Sequence, residues 1–184
     1  MTISKGAITA LLNGLILMVL TLAEFWGLLP FHLLLSYQWH KILHIFGVVM
    51  FMGNMIAGPV WFLFAYYSGD KALLSFAARL LYLTDLYLTV PGIALTVING
   101  LFLASAFGGT HQQPWLFYSI ILMIVMWLLS VPLIFLQEKI YATIQNEPDN
   151  ALKMNRLMNW WGVLGTLVSL PPIVIFYLMV AKSI

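Results

Sequence analysis

Two histidines and an amide stand inside an apolar run, WHKILHIFGVVMFMGNMIAGP, from Trp39 to Pro59. His40 and His44 are four residues apart, so on a helix they share a face. That spacing suits one small metal ion, copper or zinc, as paired helical histidines do. It cannot supply both axial ligands of one haem, because those approach from opposite faces of the ring. His44 alone is a candidate axial ligand for haem b. A neutral imidazole binds iron through one nitrogen while the other donates to a neighbouring acceptor. Gly47, one turn on, would leave room for a flat macrocycle, and Asn54 continues the same face. Met50, Met52 and Met55 add soft thioethers that suit Cu(I), although methionine is also ordinary core filling. In the contrasting reading no cofactor binds, and the imidazoles and amide only hydrogen-bond between helices.

These side chains must be positioned by a membrane bundle. The chain has 184 residues, of which 62% are hydrophobic and 8% charged, and its mean hydropathy is +0.99. Soluble domains carry about 25% charged residues, so this chain could not cover a water-facing surface. It contains no cysteine, which excludes disulfides, thiolate metal sites and iron–sulfur clusters. A formal charge of +2 with no basic stripe excludes nucleic acid as a partner. The lipid bilayer is the expected partner, with a second copy or a membrane complex beside it. No nucleophile–base pair, phosphate loop or catalytic carboxylate pair is legible.

About 20 apolar residues cross a bilayer core. Five segments reach that length: Gly6–Leu28, Trp39–Tyr66, Leu80–Phe107, Trp115–Gln137 and Leu157–Ala181. The expected fold is therefore all-α, a single transmembrane domain over residues 1–184 with five antiparallel spans. The first span lacks a small-residue cleavage site after it and reads as a retained helix. The stretch from Glu138 to Arg156 mixes both charge signs and reads as a solvated loop with frayed helix ends. Alternating the spans puts Lys5, Lys71, Arg79, Lys139, Lys153 and Arg156 on one side, and Lys41 and Lys182 on the other. The positive-inside bias then predicts an inner-membrane protein with a cytoplasmic N-terminus and a periplasmic C-terminus. All four histidines, His32, His40, His44 and His111, fall at the outer end.

Helical rotation of about 100° per residue sorts the remaining polar groups. His40, His44, Gly47, Phe51, Asn54 and Gly58 form one stripe of the second span. Asp85, Thr89, Gly92, Thr96 and Asn99 form a matching stripe of the third, around Pro91. Both stripes should face inward. Asp85 is an ionisable group within a span, with Arg79 or a tyrosine hydroxyl as the expected partner. Glu24 is its counterpart near the outer end of the first span. Glu24, Asp85 and Asn99 are thus the expected buried polar groups. With Asn54 they could also mark an interior path for a small solute. In the fifth span Gly162, Thr166 and Ser169 read as a helix-packing face.

The segments KILHIFGVVMFMGN (41–54), FAARLLYLTDLYLTVPGIAL (76–95), NRLMNWWGVLGTL (155–167) and YLMVAK (177–182) resemble an uncharacterised family of bacterial integral membrane proteins. The resemblance runs from about Trp39 to Lys182, which implies a membrane helical bundle with an antiparallel four-helix core and the first span as one additional N-terminal helix. That family is distantly similar to the HemJ-type protoporphyrinogen oxidases and to the CopD-like copper-resistance membrane proteins. This resemblance implies haem b binding or copper handling, with His44 as the position carried over.

Overall fold

In the computed structural model, residues 4–182 are described, and five long helices account for most of them. They are α1 (Lys5–Phe25), α2 (Tyr37–Tyr67), α3 (Lys71–Ser105), α4 (Pro114–Asn146) and α5 (Ala151–Ala181), and each is apolar and long enough to cross a membrane. No strand occurs among the described residues. Local chemistry sets the starts. The Ser4 hydroxyl accepts from the Ala7 N–H at 3.1 Å, and the Asp70 carboxylate accepts from Ala72 and Leu73 at 2.8 and 3.1 Å. Asn150 caps α5 by accepting from Lys153, and Pro114 occupies the first turn of α4, where a missing N–H costs nothing. Hydrogen bonds from Lys153 and Asn150 hold the Glu147 carboxyl below the usual carboxylate range.

The helices are longer than the hydrocarbon core requires. At 1.5 Å per residue, a 31-residue helix such as α2 is about 46 Å long, against a core of about 30 Å. The sequence placed a loop between Glu138 and Arg156; in the structure α4 continues to Asn146 and α5 starts at Ala151. Packing explains the extension. Ile140 and Ile144 of α4 bury against Met154, Met158 and Trp161 of α5, together with Phe62 and Ala65 of α2 and Ala77, Ala78 and Leu81 of α3. A helix that continues there gains burial that a loop would forgo. A smaller cluster of Ala104, Trp115, Leu116 and Leu178 closes the opposite end.

Neighbouring helices pair as antiparallel hairpins, α2 with α3 and α4 with α5, and α1 lies against the second half of α3 and against α4. Two glycines seat α1. A Cβ on Gly6 would lie 2.3 Å from the Tyr82 hydroxyl, and one on Gly14 would lie 1.9 Å from the Trp127 ring nitrogen. Between α2 and α3 the contact is backbone to backbone. A Cβ on Gly47 would fall 2.6 Å from the Gly92 carbonyl oxygen, and one on Gly92 would fall 2.9 Å from that of Gly47. Gly162 and Gly165 of α5, by contrast, would meet nothing within 4 Å, and Thr166 is exposed. The expected packing face of the fifth span is therefore corrected: α5 buries Met154, Met158, Trp161, Pro171, Pro172 and Leu178 instead.

A polar tie joins three helices. α3 widens to a π turn over Asp85–Thr89, where the Val90 N–H reaches back to the Asp85 carbonyl. Pro91 explains the widening, because its ring would clash with the carbonyl four residues earlier in a regular α turn. The Asp85 carboxylate accepts from Asn54 Nδ2 of α2 at 2.8 Å, from the Thr89 hydroxyl at 3.1 Å, and from Gln137 Nε2 of α4 at 3.3 Å. Neither expected partner is used. Arg79 is exposed, and the Tyr82 hydroxyl accepts from the Gly6 N–H at 3.1 Å.

Two stability differences follow, both read as thermal unfolding midpoints in detergent. Gly47→Ala should lower stability by about 1–3 kcal/mol through overpacking, or about 2–4 °C per kcal/mol for a chain of this size. Gly53→Ala, where a Cβ meets nothing within 4 Å, should be neutral or slightly stabilising. Asp85→Ala strands three donors and should cost about 1–3 kcal/mol; Asp85→Asn, which keeps an acceptor for Asn54, should cost less.

Candidate functional site

The histidines gather at the end of the bundle where α1 finishes, α2 begins, α3 finishes and α4 begins. His40 lies in the first turn of α2 and is 2% exposed. Its Nε2 accepts from the Leu35 backbone N–H at 3.1 Å. A backbone N–H only donates, so Nε2 is unprotonated and the proton is on Nδ1, which donates to Asn99 Oδ1 at 2.9 Å. The Asn99 amide is oriented by its own Nδ2, which donates to the Leu95 carbonyl at 2.9 Å. Phe102 stacks on the imidazole, with centroids 4.7 Å apart. Both nitrogens are thus engaged. His40 fastens the α1–α2 connection to α3, and a metal would have to displace one of those two bonds.

His44, one turn deeper, is half-buried and differently engaged. Its Nδ1 lies 2.7 Å from the Thr96 carbonyl oxygen. A carbonyl only accepts, so Nδ1 carries the proton and Nε2 keeps its lone pair, with no protein partner among the described residues. The Thr96 carbonyl oxygen has a second lone pair for this bond, and the Thr96 hydroxyl turns away from it to the Gly92 carbonyl at 2.8 Å. Gly100 makes room for the ring: a Cβ there would lie 3.2 Å from His44 Cε1 and Nδ1. The ring therefore points at the helix that carries Asn99. Gly47 does not make the space expected of it, because the Gly92 carbonyl and Thr96 already occupy its open side.

The remaining polar groups are structural in their contacts. Glu24 is 7% exposed. Its carboxylate accepts from the Thr110 N–H at 3.1 Å and from the Thr110 hydroxyl. This pins the α3–α4 connection, in which Gly108 and Gly109 have φ of 83° and 106°, a region L side chains rarely adopt. Asn54 is 4% exposed and belongs to the Asp85 tie; its Nδ2 also lies 2.9 Å from the Thr89 hydroxyl, while its Oδ1 is buried without a partner. His32 and His111 are exposed, the latter beside Gln112 and Phe25.

The structure therefore brings His40, His44 and Asn99 together at one level, and Asn54, Asp85, Thr89 and Gln137 at another. About 15 Å of helix separates His44 from Asn54. The Gly47–Gly92 backbone contact and buried Phe51 fill that interval, so the two polar levels do not form one path. No group of three or more His, Asp or Glu side chains that could hold a metal ion occurs among the described residues. Sequence reasoning missed Gly100, Gln137, Thr110 and the Leu35 N–H. Gly100 was legible, lying four residues after Thr96 on the inward face. The other three depend on tertiary contacts that no helical period encodes.

Comparison with known proteins finds no curated protein and no solved structure that matches this chain. A family described as "Predicted integral membrane protein (DUF2269)" matches residues 38–183. The match takes in α2 to α5 and leaves α1 outside, as the division into a four-helix core and an added N-terminal helix requires. The chain belongs to this family of integral membrane proteins, DUF2269.

Proposed function

We propose that the protein is a haem-binding, redox-linked protein of the inner membrane, with His44 as an axial ligand. One observation carries this reading: Nδ1 of His44 is committed to the Thr96 carbonyl, which leaves Nε2 unprotonated and, among the described residues, without a partner. Metal-binding histidines are typically held this way, since the second hydrogen bond fixes the tautomer and raises the basicity of the ligating nitrogen. When bound, haem supplies a reversible one-electron couple. The protein's part is to hold the ring: Thr96 sets its tautomer, Gly100 gives it room, and the Gly47–Gly92 contact keeps α2 and α3 close enough for both. The other three histidines are engaged elsewhere or exposed, so the group would take one ligand from this cluster. The distant similarity read between this family and haem- and copper-handling membrane proteins points to the same position. The distribution of Lys and Arg supports a cytoplasmic N-terminus.

The copper reading fares less well on geometry. A shared site on His40 and His44 needs His40 to release Leu35 or Asn99. The solute-path reading needs a connection across the Gly47–Gly92 contact. A scaffold role, in which the polar levels only join helices, is the reading that remains if His44 binds nothing.

Absorption spectra decide among these. Protein purified from haem-supplemented cells should show a Soret band that His44→Ala abolishes. His40→Ala should keep the band while lowering the thermal midpoint, because it releases the Leu35 and Asn99 bonds. Colourless protein that takes up no added haem, or a band that survives His44→Ala, refutes the assignment; copper recovered by metal analysis in its place would favour the second reading.

A further inference from the structure

We propose a binding site for an anionic phospholipid on the outer face of α5, at the end of the bundle opposite the histidines. Arg156, Asn159, Trp160 and Val163 line an open recess of about 400 Å³ there. Their spacing of three, four and seven residues places them on one helical face. Arg156 has no acidic partner: the ion pairs of this end, among the described residues, are Lys71–Asp149 and Lys153–Glu147. A guanidinium at a membrane surface without a carboxylate offers a fork of donors suited to phosphate oxygens. Asn159 adds an amide beside it.

Below this polar end the same face turns aliphatic. Leu167, Leu170 and Val174 continue from Val163, and each is between 42% and 52% exposed. From Val163 to Val174 the stripe runs about 16 Å, close to half of a bilayer core of about 30 Å. Trp160, 59% exposed, sits between the charge and the stripe, at the level where indoles collect in membranes. The order along the helix is thus cation, amide, indole, aliphatic track: the order of phosphate, glycerol and acyl chain in one leaflet. No carboxylate lines the recess to receive the ammonium of a zwitterionic headgroup. That selects an anionic lipid such as phosphatidylglycerol over phosphatidylcholine. The site is independent of His44 and of any cofactor.

Native mass spectrometry of the full chain, released from detergent containing equal phosphatidylglycerol and phosphatidylcholine, tests the assignment. The wild-type protein should retain phosphatidylglycerol in preference. Arg156→Gln should reduce that retention about fivefold, the equivalent of ~1 kcal/mol per basic residue at a membrane surface. Arg156→Lys should keep most of it, and Lys182→Gln, at the opposite end, should leave it unchanged. The wild-type comparison of the two lipids needs no variant to fold. Equal retention of both lipids overturns the site. So does unchanged retention in Arg156→Gln, displacement of the lipid by millimolar inorganic phosphate, or a shift in oligomeric state in place of lipid loss.

Discussion

Everything at the centre of this protein depends on how closely α2 and α3 approach at Gly47 and Gly92. Each glycine meets the carbonyl oxygen of the other at a distance that a side chain would forbid. Inside a bilayer there is no hydrophobic force between helices, and close packing with interhelical hydrogen bonds must hold them. The contact supplies the first directly and makes the second reachable. On one side of it His40 meets Asn99 and His44 meets the Thr96 carbonyl; on the other Asn54 meets Asp85. Had either glycine been larger, these short side chains would not span the gap.

Position along α2 explains why two histidines on one face have different chemistry. Spacing of four residues gives His40 and His44 the same rotation on α2, but not the same neighbours. His40 sits at the helix start, where the connecting loop offers a backbone N–H, and that donor takes up Nε2. One turn deeper the loop is gone, and α3 offers only a carbonyl. An acceptor alone around His44, against a donor and an acceptor around His40, is the whole difference. It leaves one imidazole closed and the other with a lone pair.

The inward stripe of α2 was legible because a span has few polar residues and each must avoid lipid: His40, Gly47, Phe51, Asn54 and Gly58 are all buried. The five spans were legible from length and charge, and the first as an addition from a resemblance that starts near Trp39. The ends of α4 and α5 were not, because Ile140, Ile144, Met154 and Met158 lie among charged residues whose local composition reads as loop. Small residues misled in α5: Gly162, Thr166 and Ser169 resemble a packing face, yet a Cβ on Gly162 would meet nothing within 4 Å and Thr166 is exposed. Asp85 was correctly placed inward, but its partners were not. Arg79 is six residues away along α3, whereas Gln137 is brought in from α4 by the fold.

A chain this apolar has few polar groups to spend, and most of them satisfy one another. Glu24 is used up on Thr110, Asp85 on Asn54, Thr89 and Gln137, and His40 on Leu35 and Asn99. Groups closed in this way hold helices in register and have little capacity left for a ligand. His44 and Arg156 differ in kind. His44 keeps an acceptor on a half-buried ring, and Arg156 keeps its donors above an aliphatic track. The first offers a lone pair to an electrophilic centre and the second offers positive charge to an oxyanion. They lie at opposite ends, on α2 and α5, with the close-packed α2–α3 crossing at Gly47 and Gly92 between these ends. Binding at one therefore has no polar route to the other, and the two should act independently.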